Sequence, residues 1–305
     1  MHRFSWLVFL VASSLDAAVS GNAQIRAKAG PSEIVITTTS RLAGAIHSLT
    51  WNGREFIDSA DHGRQLQSAS NFDAGSRILS ETYNPTEAGS RFDGAGKNST
   101  SVLHALIAKD NELSTISQMA FWLRPGEKSG GQPAKNRTVL SGHQLQKIVT
   151  IGAHGLSHAI GYQVKFVVPP GEVHHHAVFE AVTGYMPPAF SEFWTFDPAT
   201  RKLVKLSDGP GEQRYPVIFS TPDRQYAMGV WSPAQPSKGF NNVGYGRFRF
   251  KPEKVVKWNC VFRIRQLKPI RTGDHVFKCY VIVGSLKNVT STMDQLRRRF
   301  GRARK

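Results

Sequence analysis

The chain has 305 residues, is 40% hydrophobic and 20% charged, and carries 39 Lys and Arg against 22 Asp and Glu, a formal net charge of +17. Such a length buries a sizeable core, and the composition excludes both a disordered chain and a multi-span membrane protein. The charge suggests an anionic partner, yet six positive charges sit in the last nine residues and the rest are diffuse. With no basic block, RNP, zinc-finger or helix-turn-helix pattern, no specific nucleic-acid partner is expected.

Residues 1–20 open with His2 and Arg3, pass through an apolar run from Phe4 to Leu15 broken by serines, and reach small residues at Ala17, Ala18 and Ser20. That order predicts a cleavable signal peptide, too short to span a bilayer stably. A single domain over 21–305, secreted or periplasmic and without a membrane span, is the expectation.

Strand-like runs follow at 33–39, 43–51, 76–82, 101–108, 112–123, 139–151, 160–168, 175–183, 191–196, 216–220, 226–231, 245–250, 255–265 and 275–284. Turn clusters such as Asn52-Gly53 and Val168-Pro169-Pro170-Gly171 separate them. Many short strands with hardly any helical periodicity predict an all-β fold, a large antiparallel β-sandwich. The end differs. Val289, Met293, Leu296 and Phe300 recur at helical spacing and predict a C-terminal α-helix, with Ser291 and Asp294 suited to a capping box.

The two cysteines, Cys260 and Cys279, both fall on the apolar faces of alternating runs. If those runs form a hairpin around 267–273, pairing 265 with 274 sets Cys260 opposite Cys279. A cross-strand disulfide is then expected in an oxidising compartment, with a buried thiol pair as the alternative.

Several segments have the residue types that chemistry needs. Asp61-His62-Gly63-Arg64-Gln65-Leu66-Gln67 concentrates hydrogen-bonding side chains suited to sugar hydroxyls or a uronate carboxylate, or else forms a self-satisfied loop. Glu87 is an acid or base if it faces the same cleft as His62. His174, His176 and Glu180 share one strand face, a set that binds a metal, transfers protons, or simply starts a strand. Its His-x-His-x-x-x-Glu spacing resembles the first cupin motif, but no second motif with a distant His follows. Tyr185 and Trp194 suit stacking on sugar faces, or the core. The absence of a Gly-x-Ser-x-Gly elbow, P-loop, dinucleotide fingerprint and His-Glu-x-x-His argues against serine-hydrolase, nucleotide and zincin chemistry.

The segment Leu42-Ala-Gly-Ala-Ile-His-Ser-Leu-Thr-Trp51-Asn-Gly-Arg-Glu-Phe-Ile57 resembles the opening hairpin of galactose-mutarotase-like (aldose-1-epimerase-like) supersandwich proteins. The resemblance implies a sugar cleft across a concave sheet face. It also implies a histidine acid and glutamate base, for which His176 and Glu180, or His62 and Glu87, are the candidates; the epimerase Asn-His-x-Tyr-Phe-Asn-Leu motif does not occur. The resulting expectation is a carbohydrate-active protein cleaving a poly- or oligosaccharide, an acidic one among the candidates, by glycosidase or lyase chemistry. His62, Glu87, His176 and Glu180 are its catalytic candidates. Asp61, Arg64, Gln65, Gln67, His174, Tyr185 and Trp194 are its substrate-binding candidates, with no metal or other cofactor. A non-catalytic glycan-binding module and a cupin-like metalloprotein are the alternatives.

Overall fold

The structure, a computed structural model, describes residues 19–75, 77–197 and 199–301. Apart from Val19 and Ser20, the expected signal peptide lies outside the described residues, as do the four residues after Gly301.

The expected sandwich is formed by two antiparallel leaves. One runs through Ala23–Ala29, Ser32–Thr38, Ile46–Trp51, Leu66–Phe72, His176–Met186, Val255–Arg265, Tyr245–Phe250 and Gly211–Gln213. The other runs through Val102–Lys109, Glu112–Phe121, Leu140–Ile151, Ala159–Val168, Gly273–Gly284, Ala227–Trp231, Val217–Ser220, Glu192–Asp197 and Lys202–Lys205. A short strand, Pro85–Thr86, pairs with both leaves and joins them.

Alternation decides what each leaf buries. Trp258, Cys260 and Phe262 point inward from one leaf and meet Tyr162, Val164, Phe166, Cys279 and Val281 of the other. The opposite face of the second leaf is apolar as well, and the C-terminal helix Leu286–Gly301 covers it with Val289, Met293 and Leu296. Among the described residues no helix covers the outer face of the first leaf, the cleft leaf. Among the described residues no helix is long and apolar enough to cross a membrane.

Four expectations are corrected. The runs carrying the cysteines form no hairpin: Val255–Arg265 pairs with His176–Met186 and Tyr245–Phe250, while Gly273–Gly284 pairs with Ala159–Val168 and Ala227–Trp231. The expected disulfide between Cys260 and Cys279 is absent. They are free buried thiols, one from each leaf, with sulfurs 3.6 Å apart, against about 2.05 Å for a disulfide. Of the strand expected at 76–82, the described residues 77–82 are irregular, whereas the neighbouring Leu66–Phe72 is a central strand. The helix begins earlier than the Ser291/Asp294 box: Asn288 N donates to Ser285 Oγ at 3.2 Å, and Asp294 instead accepts from Arg298 at 2.6 Å.

Candidate functional site

A cleft of about 390 Å³ lies on the outer face of the cleft leaf, within the range of about 300–1,000 Å³ common for ligand sites. Its floor comes from side chains that alternate with the core. Lys257, Asn259, Val261 and Arg263 project outward between the buried Trp258, Cys260 and Phe262. Val178 and Glu180 project from the adjacent strand. Simple alternation would turn Tyr185 away from Glu180, but the register shifts between Glu180 and Val182. This bulge re-aims the strand, so Thr183 and Tyr185 join Glu180 in the cleft. Trp122, Tyr185 and Phe248 supply aromatic surface, and Gln67, Asn71 and Asn84 supply amides.

Four of the charged groups form two ion pairs. Lys257 Nζ stands 3.2 Å from Glu180 Oε2, which also accepts from Thr183 Oγ1 at 2.7 Å. Arg263 Nη2 donates to Glu212 Oε1 at 2.5 Å. Burial pushes the Glu180 carboxyl up, but the Lys257 charge and donors from Thr183, Lys257 and Asn259 hold it below its usual value. Burial likewise disfavours charged Lys257, yet Glu180 and Tyr185 hold its ammonium above the usual lysine range. Burial is also the main reason that the Tyr185 phenol is raised and stays protonated. The lining holds three carboxylates, Glu81, Glu180 and Glu212, against two cations, Lys257 and Arg263. The cleft therefore does not share the cationic character of the whole chain.

Of the site residues expected from sequence, Gln67, Glu180 and Tyr185 line this cleft. The others are placed elsewhere or spent on other contacts. His62 is buried, with Nδ1 against the Gly94 carbonyl at 2.7 Å and Nε2 against the Arg41 carbonyl at 2.8 Å. Asp61 and Arg64 pair with each other at 3.0 Å, and the buried Gln65 bonds the Asp61 carbonyl. Glu87 is sealed between the leaves, where it accepts from Lys147 and, at 3.0 Å, from the Ser68 amide. His176 occupies the strand next to Glu180, and burial and Arg265 hold its imidazole below its ordinary value. Trp194 packs under the C-terminal helix and donates to Ser220 Oγ at 3.0 Å.

His174 belongs to a second constellation, at one end of the inter-leaf core. Its Nε2 and that of His143 lie 2.8 and 2.9 Å from the same oxygen, Glu172 Oε2. Tyr83 also hydrogen-bonds Glu172, and Phe72 packs against both imidazoles with ring centroids 4.8 and 4.7 Å away. Burial pushes the Glu172 carboxyl up, but the two histidines and Tyr83 hold it well below the usual carboxylate range.

Sequence reasoning did not single out Lys257, Asn259, Arg263 or Trp122 for the cleft, nor His143 for the second group. A signal existed for three of them. Lys257-x-Asn259 alternates with a buried face in a central strand, and His143 and Lys147 interrupt the inward series His143, Leu145, Lys147, Val149. A polar residue at a core-facing position is more informative than another apolar one.

Comparison with protein families and with curated proteins gives no match. Among solved structures, the chain is similar to the alpha-galactosidase from Lactobacillus brevis, with a TM-score of 0.46 and 9% identity over 88% of this chain. It spans about 40% of the length of that protein. It is similar to HI1317, with a TM-score of 0.37 and 7% identity over 85% of this chain and 91% of that one. For the Slr1438 protein from Synechocystis sp. PCC 6803 the TM-score is 0.42, with 7% identity over 91% of this chain and 100% of that one.

Proposed function

We propose that the cleft binds an uncharged stretch of a poly- or oligosaccharide, which makes the protein carbohydrate-active. The observation that carries this reading is the joint lining of one open cleft by Trp122, Tyr185 and Phe248 with Gln67, Asn71, Asn84 and Asn259. Sugar rings present an apolar face that stacks on aromatic surface and a belt of hydroxyls that bond amides and charged groups. With more carboxylates than cations in the lining, the cleft repels a uronate, so the acidic polysaccharide considered from the net charge is not the ligand proposed. Elimination at a uronate loses its support for the same reason.

The test is affinity electrophoresis against gels containing neutral or acidic polysaccharides. Retardation by at least one neutral polysaccharide is expected, and Trp122→Ala should weaken it at least tenfold, about 1.4 kcal/mol. Retardation confined to acidic polysaccharides, or none at all, overturns the reading.

A second reading, glycoside hydrolysis, is favoured by the presence of both Glu180 and Glu212 in the lining. Hydrolysis needs a charged carboxylate as nucleophile or base and a second carboxyl as acid. Glu180, held ionised by Lys257, suits the first role, and the other lining carboxylates, Glu81 and Glu212, are the candidates for the second. Glu180→Gln and one of Glu81→Gln and Glu212→Gln should then abolish the release of reducing ends while binding persists. If no saccharide that binds yields reducing ends with the unaltered protein, binding alone remains.

A further inference from the structure

We propose that His143, Glu172 and His174 form a site for one divalent transition-metal ion, with zinc the ion best matched to two imidazoles and a carboxylate. Their ligand atoms all lie within 4.8 Å of one another, and the fold brings them together from two segments far apart in sequence. His143 projects from Leu140–Ile151, while Glu172 and His174 belong to the connection that precedes His176–Met186.

The hydrogen-bond pattern at His174 points to a cation. Its Nδ1 bonds the Asp73 carbonyl and its Nε2 faces Glu172 Oε2. A neutral imidazole has one N–H to donate. Given to the carbonyl, that hydrogen leaves the Nε2 lone pair aimed at a carboxylate oxygen, so either a second ring proton or a metal ion must stand between the two. A metal ion does so without a second ring proton, and the carbonyl fixes the tautomer as outer-shell partners of metal-binding histidines do.

The surroundings hold the ligands in place. Asp73 anchors the connection through its carboxylate, which accepts from the His175 amide at 3.0 Å and from the His176 amide at 3.0 Å. Phe72 walls both imidazoles. At zinc–ligand lengths of about 2.0–2.2 Å, tetrahedral neighbours stand about 3.3–3.5 Å apart. The nitrogen–oxygen gaps of 2.8 and 2.9 Å therefore need to open by only about half an ångström. Side-chain exposure of 2% at His143 and 5% at His174, against 23% at Glu172, gives a buried site with one accessible side. The Tyr83 hydroxyl, already bonded to Glu172, is placed to become a fourth ligand or to hold a water there.

Untagged protein, stripped with a chelator and dialysed, should bind one zinc ion per chain by titration calorimetry, and zinc should raise its melting temperature. Cobalt in its place should give the visible absorption of a tetrahedral site. His143→Ala should lose the binding. His175→Ala, which removes an exposed member of the neighbouring histidine run, should retain it. If His143→Ala does not fold, Glu172→Gln decides, with an expected weakening of at least tenfold. The proposal is overturned if the unaltered protein takes up no stoichiometric zinc. It is also overturned if binding survives His143→Ala or Glu172→Gln but disappears in His175→Ala.

Discussion

Lys147 reaches from one leaf to hydrogen-bond Glu87, and the pair is sealed between the leaves at side-chain exposures of 0% and 1%. Glu87 also accepts from the Ser68 amide, while Ser68 Oγ lies 3.3 Å from the Tyr162 hydroxyl. These contacts tie three strands together through a polar knot in a largely apolar core.

Removing one member leaves an uncompensated buried charge. Glu87→Gln or Lys147→Met should each cost about 3–5 kcal/mol, and replacing both with apolar residues should cost less than either single change. Urea denaturation measures this. A loss below about 1 kcal/mol for Lys147→Met would show that the pair is not sealed from water.

Cys260 and Cys279 are both fully buried, out of reach of a reagent in solution, and burial pushes the Cys279 thiol up. A thiol-alkylating reagent should label neither cysteine in the native protein and both in denaturant, with no mass change on prior reduction. A mass increase on reduction would contradict the free-thiol assignment.

The cysteines also illustrate what the sequence made legible. Period-2 alternation put both on buried faces, and the fold agrees. It did not identify the partner, because two strands that share no hydrogen bond still bring side chains together when their leaves pack face to face. Most strands were readable for the same reason, with Glu112–Phe121 the clearest. Leu66–Phe72 was not, since its inward positions include Ser68 and Ser70 and imitate a polar loop. The cleft was legible only in fragments. Its floor depends on the bulge near Ala181, and its residues come from strands far apart in sequence, so no local motif announces them.

The Glu180–Lys257 pair sets the pH response of the cleft. A carboxyl held below its ordinary 4.5 contributes stability that is present above that value and lost as pH falls through the folded one. A lysine held above its ordinary 10.5 contributes stability that is present below that value and lost as pH rises through the folded one. The pair is therefore intact across the whole interval between 4.5 and 10.5. Its contribution to stability should be constant there, with the acid loss confined below 4.5 and absent in Glu180→Gln. Comparing denaturation of the two proteins against pH measures this. An acid loss of equal size in Glu180→Gln would assign it to another group.

Where a saccharide touches the chain decides whether this cleft binds one. Isotope-labelled protein titrated with a neutral oligosaccharide and followed by amide and indole chemical shifts should show its largest changes at Trp122, Tyr185 and Asn259 and their strand neighbours. Shifts confined to the opposite side, around Trp194 and the C-terminal helix, or no shift with any oligosaccharide, would contradict a saccharide-binding cleft on this leaf.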